Sequence, residues 1–516
     1  MSIYRVIIFS AVATVASASH AYKGTFGAFA SDPSNICSLL KAAHADNTFL
    51  PDDAGFVNET QKSWSAQAWL TPACVFAPSD ATQLSFAVKT LARSSTPFAM
   101  RGGGHMPIAD AANIDSTGVL ISSTNLNTLQ LSDDKETMSI GPGPRWGNVF
   151  EYMDGTNLTI VGGRLAPVGV PGLLLGGGIS YYSYKHGIGS AGGKIKAYEA
   201  VLADSTIATV TSDNEYADLY WALQGGGNSF ALITRFDLQT FYAGTPLIAD
   251  ATYGTSNATG DAYLAAVLDF ALHGDQDTAG AVTPVARWGP NFTAPSYECT
   301  LFYNGSIAPT GGPFTKFFDE TTLKSVNGSS TLAPQTLAEN AKRLFPAFET
   351  GGPGHGLRQK FRVVPTAATA EALKIVHDTY FTSLQASGMA DRIPGFFTGL
   401  ASNAITKTFA EASAGTPQNI PLEPAFWIEE SLSWEDASDD AEIEEWLSAV
   451  NAEIEEKLEA ANATNRYIYL NDADKPQDVF AGYGEENLLK LRMIRSKYDP
   501  ARVFTDLMPG GFKVDP

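Results

Sequence analysis

Three glycine clusters hold the residues with the clearest chemical potential: Arg101-Gly102-Gly103-Gly104-His105, Gly176-Gly177-Gly178 and Gly225-Gly226-Gly227-Asn228. Glycine admits positive φ and lets a ligand approach the main chain closely. Successive N–H groups in such a run converge into a concave anion site, and a diphosphate is the guest that suits it. Arg101 would add a fixed positive charge nearby. Two other phosphate signatures do not fit. Gly102 and Gly104 begin a GxGxxG pattern, but Pro107 stands where its last glycine belongs, and no GxxxxGK[ST] stretch occurs. Each cluster alone reads as a tight turn. Three in one region, one of them running from an Arg to a His, read as a binding site. The His105 imidazole, when neutral, is a nucleophile.

The elements that must hold these loops read as short strands and helices. Residues 73–78 form a strand pattern, 80–93 an amphipathic helix with Ser79 or Asp80 as N-cap, and 97–100 a strand that runs into the first cluster. Strand, helix, strand points to an α/β or α+β architecture. Further strands are expected at 118–121, 137–141, 158–161, 200–204 and 231–236, separated by glycine turns. Residues 246–460 differ, with helical patterns and an acidic run at 435–442 that reads as a solvated helix face. The C-terminal stretch returns to a compact pattern rich in Tyr, Asn and Gly. The expected organisation is a cofactor domain interrupted by a substrate domain.

The chain has 516 residues, 44% hydrophobic and 17% charged, with a net charge of −21. This is a globular composition large enough for about two to three domains. So acidic a surface argues against nucleic acid and anionic membranes as partners. Arg5, the apolar run that follows and the small residues at 16–21 read as a signal peptide over 1–21. The run is well short of the ~20 apolar residues that span a bilayer. Secretion is therefore expected. The cysteines are Cys37, Cys74 and Cys299. We pair Cys37 with Cys74, nearest in sequence and both ahead of the glycine motifs, leaving one free thiol. Without CxxC there is no case for a zinc site, and no metal is expected. Asn-x-Ser/Thr sequons at Asn58, Asn157, Asn257, Asn291, Asn304, Asn327 and Asn462 fit secretion as glycosylation sites.

The motifs resemble those of the berberine-bridge-enzyme-like flavoproteins, with their PCMH-type FAD-binding domain, of the vanillyl-alcohol-oxidase superfamily. The Arg101–His105 run is similar to that family's pyrophosphate loop. Val161-Gly162-Gly163-Arg164, with Val168 through Ser180, resembles its second FAD-contacting stretch, and Asp218 through Phe230 its third. Tyr498-Asp499-Pro500 and Pro509 through Lys513 match the family ending. The likeness covers about residues 35–245 and 465–515 and is weak between them. It implies an α+β fold: a helical segment at 22–69, a two-subdomain FAD domain at 70–243, a substrate domain with an antiparallel sheet at 244–464, and a returning segment at 465–516. It also implies FAD contacts from Arg101, Gly102, Gly103, Gly104, His105, Met106, Gly163, Val168, Gly169, Val170, Gly172, Gly176, Gly177, Gly178, Ile233 and Asn471. His105 falls where the family bonds an imidazole to the flavin 8α carbon. The place of the second, cysteine tether of many relatives is taken by Leu165 or a neighbour, so one covalent bond is expected. Two departures stand out: Ser229-Phe230-Ala231 replaces a common Asn-Phe-Gly, and the 187–194 segment is unusually glycine-rich.

A flavin accepts the hydride, and the protein orients the substrate and moves a proton. Tyr469, in a stretch similar to the family's Tyr-x-Asn, is the candidate base or hydrogen-bond anchor, with a core tyrosine as the bland alternative. His186 is a second candidate, although a surface-loop histidine is the plainer reading. Glu429 and Glu430 offer carboxylates and read more simply as a solvated pair. The expected activity is a secreted oxidase that passes electrons from a small alcohol, amine or aromatic, polyketide-like metabolite to O2. Alternatives are an oligosaccharide oxidase and a flavin-retaining binding protein without turnover.

Overall fold

The computed structural model describes residues 32–347, 352 and 354–516, so the 1–21 stretch read as a signal peptide lies outside the described residues. The fold is α+β and contains three main sheets. The first is built from β1 (Thr48–Phe49), β2 (Cys74–Phe76), β3 (Phe98–Arg101) and β4 (Val119–Ser122), in the order β1-β2-β4-β3. β2 and β3 both run parallel to β4. Parallel neighbours need a crossover, and the helix Ala81–Ser94 supplies it. Asp80 caps that helix by accepting from the Gln83 N–H at 2.9 Å. Leu84, Ala87, Val88 and Leu91, spaced three and four apart, bury its apolar stripe. A Cys37–Cys74 disulfide ties the helix Pro33–Ala43 to β2. Cys299 is a buried free thiol in a strand of the third sheet.

The second sheet is antiparallel and contains β5 (Leu129–Leu131), β6 (Thr137–Ile140), β8 (Ile195–Val201), β9 (Ile207–Val210) and β10 (Leu232–Gln239), in the order β5-β6-β10-β8-β9. Between β6 and β8, β7 (Leu158–Thr159) pairs with β11 (Phe241–Tyr242). The strand expected at 200–204 instead begins at Ile195 and ends at Val201. Residues beyond it turn, with Ser205 at φ 74°. The strand expected at 158–161 stops at Thr159, because Gly162 and Gly163 fold against the Trp146 ring, where an added Cβ would stand 2.6 and 2.5 Å from its atoms.

The third sheet has seven strands: β12 (Leu247–Tyr253), β13 (Gly280–Trp288), β14 (Ser296–Tyr303), β15 (Ala333–Pro334), β16 (Arg358–Ala367), β17 (Phe397–Ile405) and β18 (Ala425–Trp434). Their order is β15-β12-β14-β13-β17-β18-β16, and every pair is antiparallel. The helices Asn257–His273, Ala370–Ser387 and Asp440–Ala460 pack on one face. The other face looks toward the glycine loops. Strand alternation decides which side chain goes where. On β18, Glu430 points to the helices and accepts from Asn451 Nδ2 at 2.7 Å, while Trp427 and Glu429 point the opposite way. The acidic run lies at the start of the Asp440–Ala460 helix, where Glu442 pairs with Arg392 at the surface. Six sequon asparagines are exposed and Asn304 is half-buried. Asn157, Asn291, Asn327 and Asn462 sit at positive φ on turns. Among the described residues no helix is long and apolar enough to cross a membrane.

Candidate functional site

The first two glycine loops meet backbone to backbone. A Cβ on Gly103 would stand 2.4 Å from the Gly169 Cα, and one on Gly169 would stand 2.5 Å from the Gly103 N. Only glycine permits this approach. Gly104 has φ +69°, and a Cβ there would meet the Ser63 Cα at 2.9 Å. The carbonyls of the loop are tied away from the cavity: Arg145 Nη2 donates to Gly103 O at 2.8 Å and the Trp64 N–H to Gly104 O at 2.9 Å. In a trans peptide the next N–H points the opposite way, so the N–H edge of this loop is left for an anionic guest.

Arg101 does not join it. Its side chain is buried beneath β3, with Nη2 donating to Glu59 Oε2 at 2.8 Å and to Ser122 Oγ at 2.6 Å, and Nη1 to the Glu59 carbonyl. The positive charge expected beside a diphosphate is therefore a structural ion pair. Burial pushes the Glu59 carboxyl up, but Arg101 and Lys62 hold it below the usual carboxylate range. Glu59→Ala is expected to cost about 3–5 kcal/mol of stability, because it strands a buried guanidinium. Urea unfolding measures this, and an unchanged midpoint would refute the assignment.

The cavity between the glycine loops and the third sheet brings together Gly102, Gly103, Gly104, His105, Met106, Val168, Gly169, Gly172, Gly176, Ile233, Tyr469 and Asn471. Gly163, Val170, Gly177 and Gly178 stand outside its lining. Gly163 packs on Trp146, Val170 is wholly buried at the start of the helix Val170–Leu175, and Gly177 and Gly178 make the following turn at φ +116° and +92°. Gly227, Asn228, Gly511 and Phe512 close one end. There the C-terminal segment is tied down by Asn228 Nδ2 donating to Gly510 O at 3.1 Å and Lys513 Nζ donating to Asn228 Oδ1 at 2.9 Å.

His105 lies under the indole of Trp64, with ring centroids 4.4 Å apart and planes 7° apart. Burial, then the charge of Arg145, pushes its pKa down to about 3, so the imidazole is neutral at physiological pH. His186 lies elsewhere. It ends the short helix Ser183–His186 and packs against Phe241 at 4.6 Å, away from the cavity, so it cannot reach a substrate held there.

The opposite wall carries acidic groups. Glu429 and Asp472 both line the cavity with Arg164. Burial raises the Glu429 pKa to about 7, with Arg164 and Arg287 pulling it back. Burial and the nearby Glu429 charge raise Asp472 as well, again opposed by Arg164. Arg164 is fixed by donating to Asn403 Oδ1 at 2.8 Å and to Thr283 Oγ1 at 3.3 Å. The solvated Glu429–Glu430 pair expected from sequence is thus a half-buried carboxyl facing the cavity and a buried one on the opposite face of β18. The Tyr469 oxygen accepts from the Ile179 N–H at 3.1 Å and from Asn471 Nδ2 at 2.9 Å. Burial raises its pKa, so the phenol keeps its proton. With two donors already on the oxygen, that proton is free to be donated. Asn471 spends its second N–H on Leu173 O at 3.0 Å, and its Oδ1 would lie 2.0 Å from a Cβ on Gly176. Trp427 stacks on Tyr469 at 5.2 Å and 19°.

Sequence reasoning missed Trp64, Phe361 and Asp472 and left Arg145 without a role. Asp472 follows Asn471 directly and was within reach; nothing in the sequence marked Trp64 or Phe361. The residues present fit a flavin dinucleotide: a cradle that any Cβ would fill, N–H groups for a diphosphate, a neutral imidazole at one end and a proton-accepting carboxyl across from it.

Comparison with known proteins agrees with this geometry. Residues 72–211 match the FAD binding domain family model. The FAD-dependent monooxygenase prx3 of Penicillium roqueforti is 31% identical over 517 residues, covering 96% of each chain. The fold is that of 6-hydroxy-D-nicotine oxidase from Arthrobacter nicotinovorans, with a TM-score of 0.74 at 19% identity over 91% of this chain and 97% of that one. Glucooligosaccharide oxidase from Acremonium strictum, whose FAD is described as 6-S-cysteinyl, 8α-N1-histidyl, superposes with a TM-score of 0.71 at 21% identity over 91% and 97%. With a full-length relative at that identity and the flavin domain matched, the chain belongs to the berberine-bridge-enzyme-like FAD-linked oxidoreductases and is an FAD-dependent oxidoreductase.

Proposed function

We propose that the protein is a secreted oxidase with FAD tethered through His105, and that it removes a hydride from a small alcohol, amine or aromatic, polyketide-like metabolite and passes the electrons to O2. The observation that carries the reading is Glu429, a half-buried carboxyl that lines the glycine-walled cavity together with Tyr469 and Arg164 and whose pKa burial raises. Bound FAD would supply the two-electron acceptor. Glu429 takes the proton of the departing O–H or N–H. The Tyr469 O–H donates to the same substrate atom and orients it. Arg164 balances the charge that Glu429 carries when deprotonated. Phe361, Leu165 and Ile179 give the cavity an apolar wall, which favours an aromatic or aliphatic substrate over a sugar chain.

The names of the sequence relatives support a second reading, in which an oxygen atom enters the product. A screen of candidate substrates under O2 decides between them. Peroxide released in step with product supports the oxidase; labelled oxygen from O2 in the product supports the monooxygenase. A purified protein that carries no flavin would overturn both. Secretion and glycosylation are tested by finding the mature chain in culture medium with its mass lowered by glycosidase.

A further inference from the structure

His105 is held by more than its own loop. A stack as flat as that of Trp64 covers one face of the imidazole and fixes the plane of its ring. The backbone that carries Trp64 is fixed from three sides. The Trp64 main-chain N–H donates to Gly104 O at 2.9 Å, the carbonyl next to His105. Arg145 Nη2 donates to Lys62 O at 3.1 Å and to Gly103 O at 2.8 Å, so one guanidinium bridges the two segments. The third side comes from the large sheet. The Gly356 N–H donates to Trp64 O at 3.1 Å, the Ala66 N–H to Leu357 O at 2.9 Å, and the Gln359 N–H to Ser65 Oγ at 3.2 Å. The Phe361 ring stands 5.5 Å from Trp64 and 6.3 Å from His105.

These ties fix the backbone of the segment carrying Trp64 against both the glycine loop and the large sheet, and the indole itself packs between the His105 and Phe361 rings. We propose that Trp64 is the positioning residue for flavin attachment: it sets the plane and position of the His105 imidazole, and residues 356–361 of the substrate-side sheet lock it there. The proposal rests on the reading of His105 as the tether. In the attachment step one N–C bond forms between the imidazole and the flavin 8α carbon. An imidazole N–H and a methyl C–H are lost, and the two protons and two electrons pass to O2, which leaves as hydrogen peroxide. His105 need only be neutral and correctly placed; burial and Arg145 provide the first, and Trp64 the second.

The test uses the full chain produced in a riboflavin-limited host and then given FAD. Covalent flavin is followed as fluorescence retained by acid-precipitated protein, and total bound flavin by absorbance. Trp64→Phe keeps an aromatic face and is expected to attach flavin at close to the wild-type rate. Trp64→Leu keeps bulk without a stack; it is expected to bind FAD to the same extent but to attach it about tenfold more slowly, the upper range of an aromatic pair. Attachment by Trp64→Leu at the wild-type rate overturns the proposal, as does loss of FAD binding in that variant, which makes Trp64 a packing residue. A wild-type protein that binds FAD but never retains it in acid removes the tether reading itself.

Discussion

Glu429→Gln is expected to lower the rate of flavin reduction by substrate by about 10²–10⁴-fold, the usual contribution of a positioned general base. The substitution is nearly isosteric, so β18 and Trp427 beside it should stay in place and flavin content should be unchanged. What is lost is the only feature of Glu429 that matters to the reaction, its capacity to take a proton. Its pKa, raised to about 7 by burial, also fixes the pH response. A base acts deprotonated, so the wild-type rate should rise with pH through about 7 and level off above it, and Glu429→Gln should lack that rise. Anaerobic bleaching of the flavin absorbance, with any substrate found through peroxide release, gives both numbers. Glu430→Gln is the control, because Glu430 faces the helices and Asn451. If Glu429→Gln reduces its flavin as fast as Glu430→Gln does, Glu429 is not the base, and Asp472 becomes the remaining carboxyl in the cavity.

The difference between Glu429 and Glu430 shows where sequence reading ran out. Adjacent carboxylates in an unpatterned stretch look like surface, and only the register of β18 within a seven-stranded sheet sends one into the cavity and the other under a helix. The glycine loops were legible because their residue type is dictated locally: Gly103 is glycine because Gly169 touches it, and no other side chain permits that. Arg101 misled for the converse reason. An Arg beside a glycine run suggests an anion, yet its partner, Glu59, lies 42 residues earlier in the chain and no local pattern announces it. His186 was proposed from its place after the second cluster, but the short helix carrying it turns the ring toward Phe241. The helix over 81–94 and the first-sheet strands were readable from caps and apolar spacing. The third sheet was not, because its central pairing joins strands far apart in the chain, such as Arg287 opposite Gly399.

His105→Ala is expected to abolish covalent flavin while leaving FAD bound reversibly. The argument separates the tether from the cradle. The diphosphate would be held by backbone N–H groups of the glycine loops, which an alanine at 105 leaves in place, since the ties that shape the loop run through the carbonyls of Gly103 and Gly104. The covalent bond, in contrast, needs a neutral nitrogen nucleophile, and the described cavity lining holds no other histidine and no cysteine. The variant should therefore be yellow as purified, colourless in the acid pellet, and lighter than the wild type by one FAD plus the side-chain difference. Its flavin should also be easier to reduce to completion only when FAD is supplied in excess, because dissociation now competes with turnover. Intact mass together with absorbance before and after acid precipitation reads all of this. Colour that stays in the acid pellet of His105→Ala would place the bond elsewhere, and with it the neutral, Trp64-stacked imidazole would lose its chemical role and become a packed loop histidine.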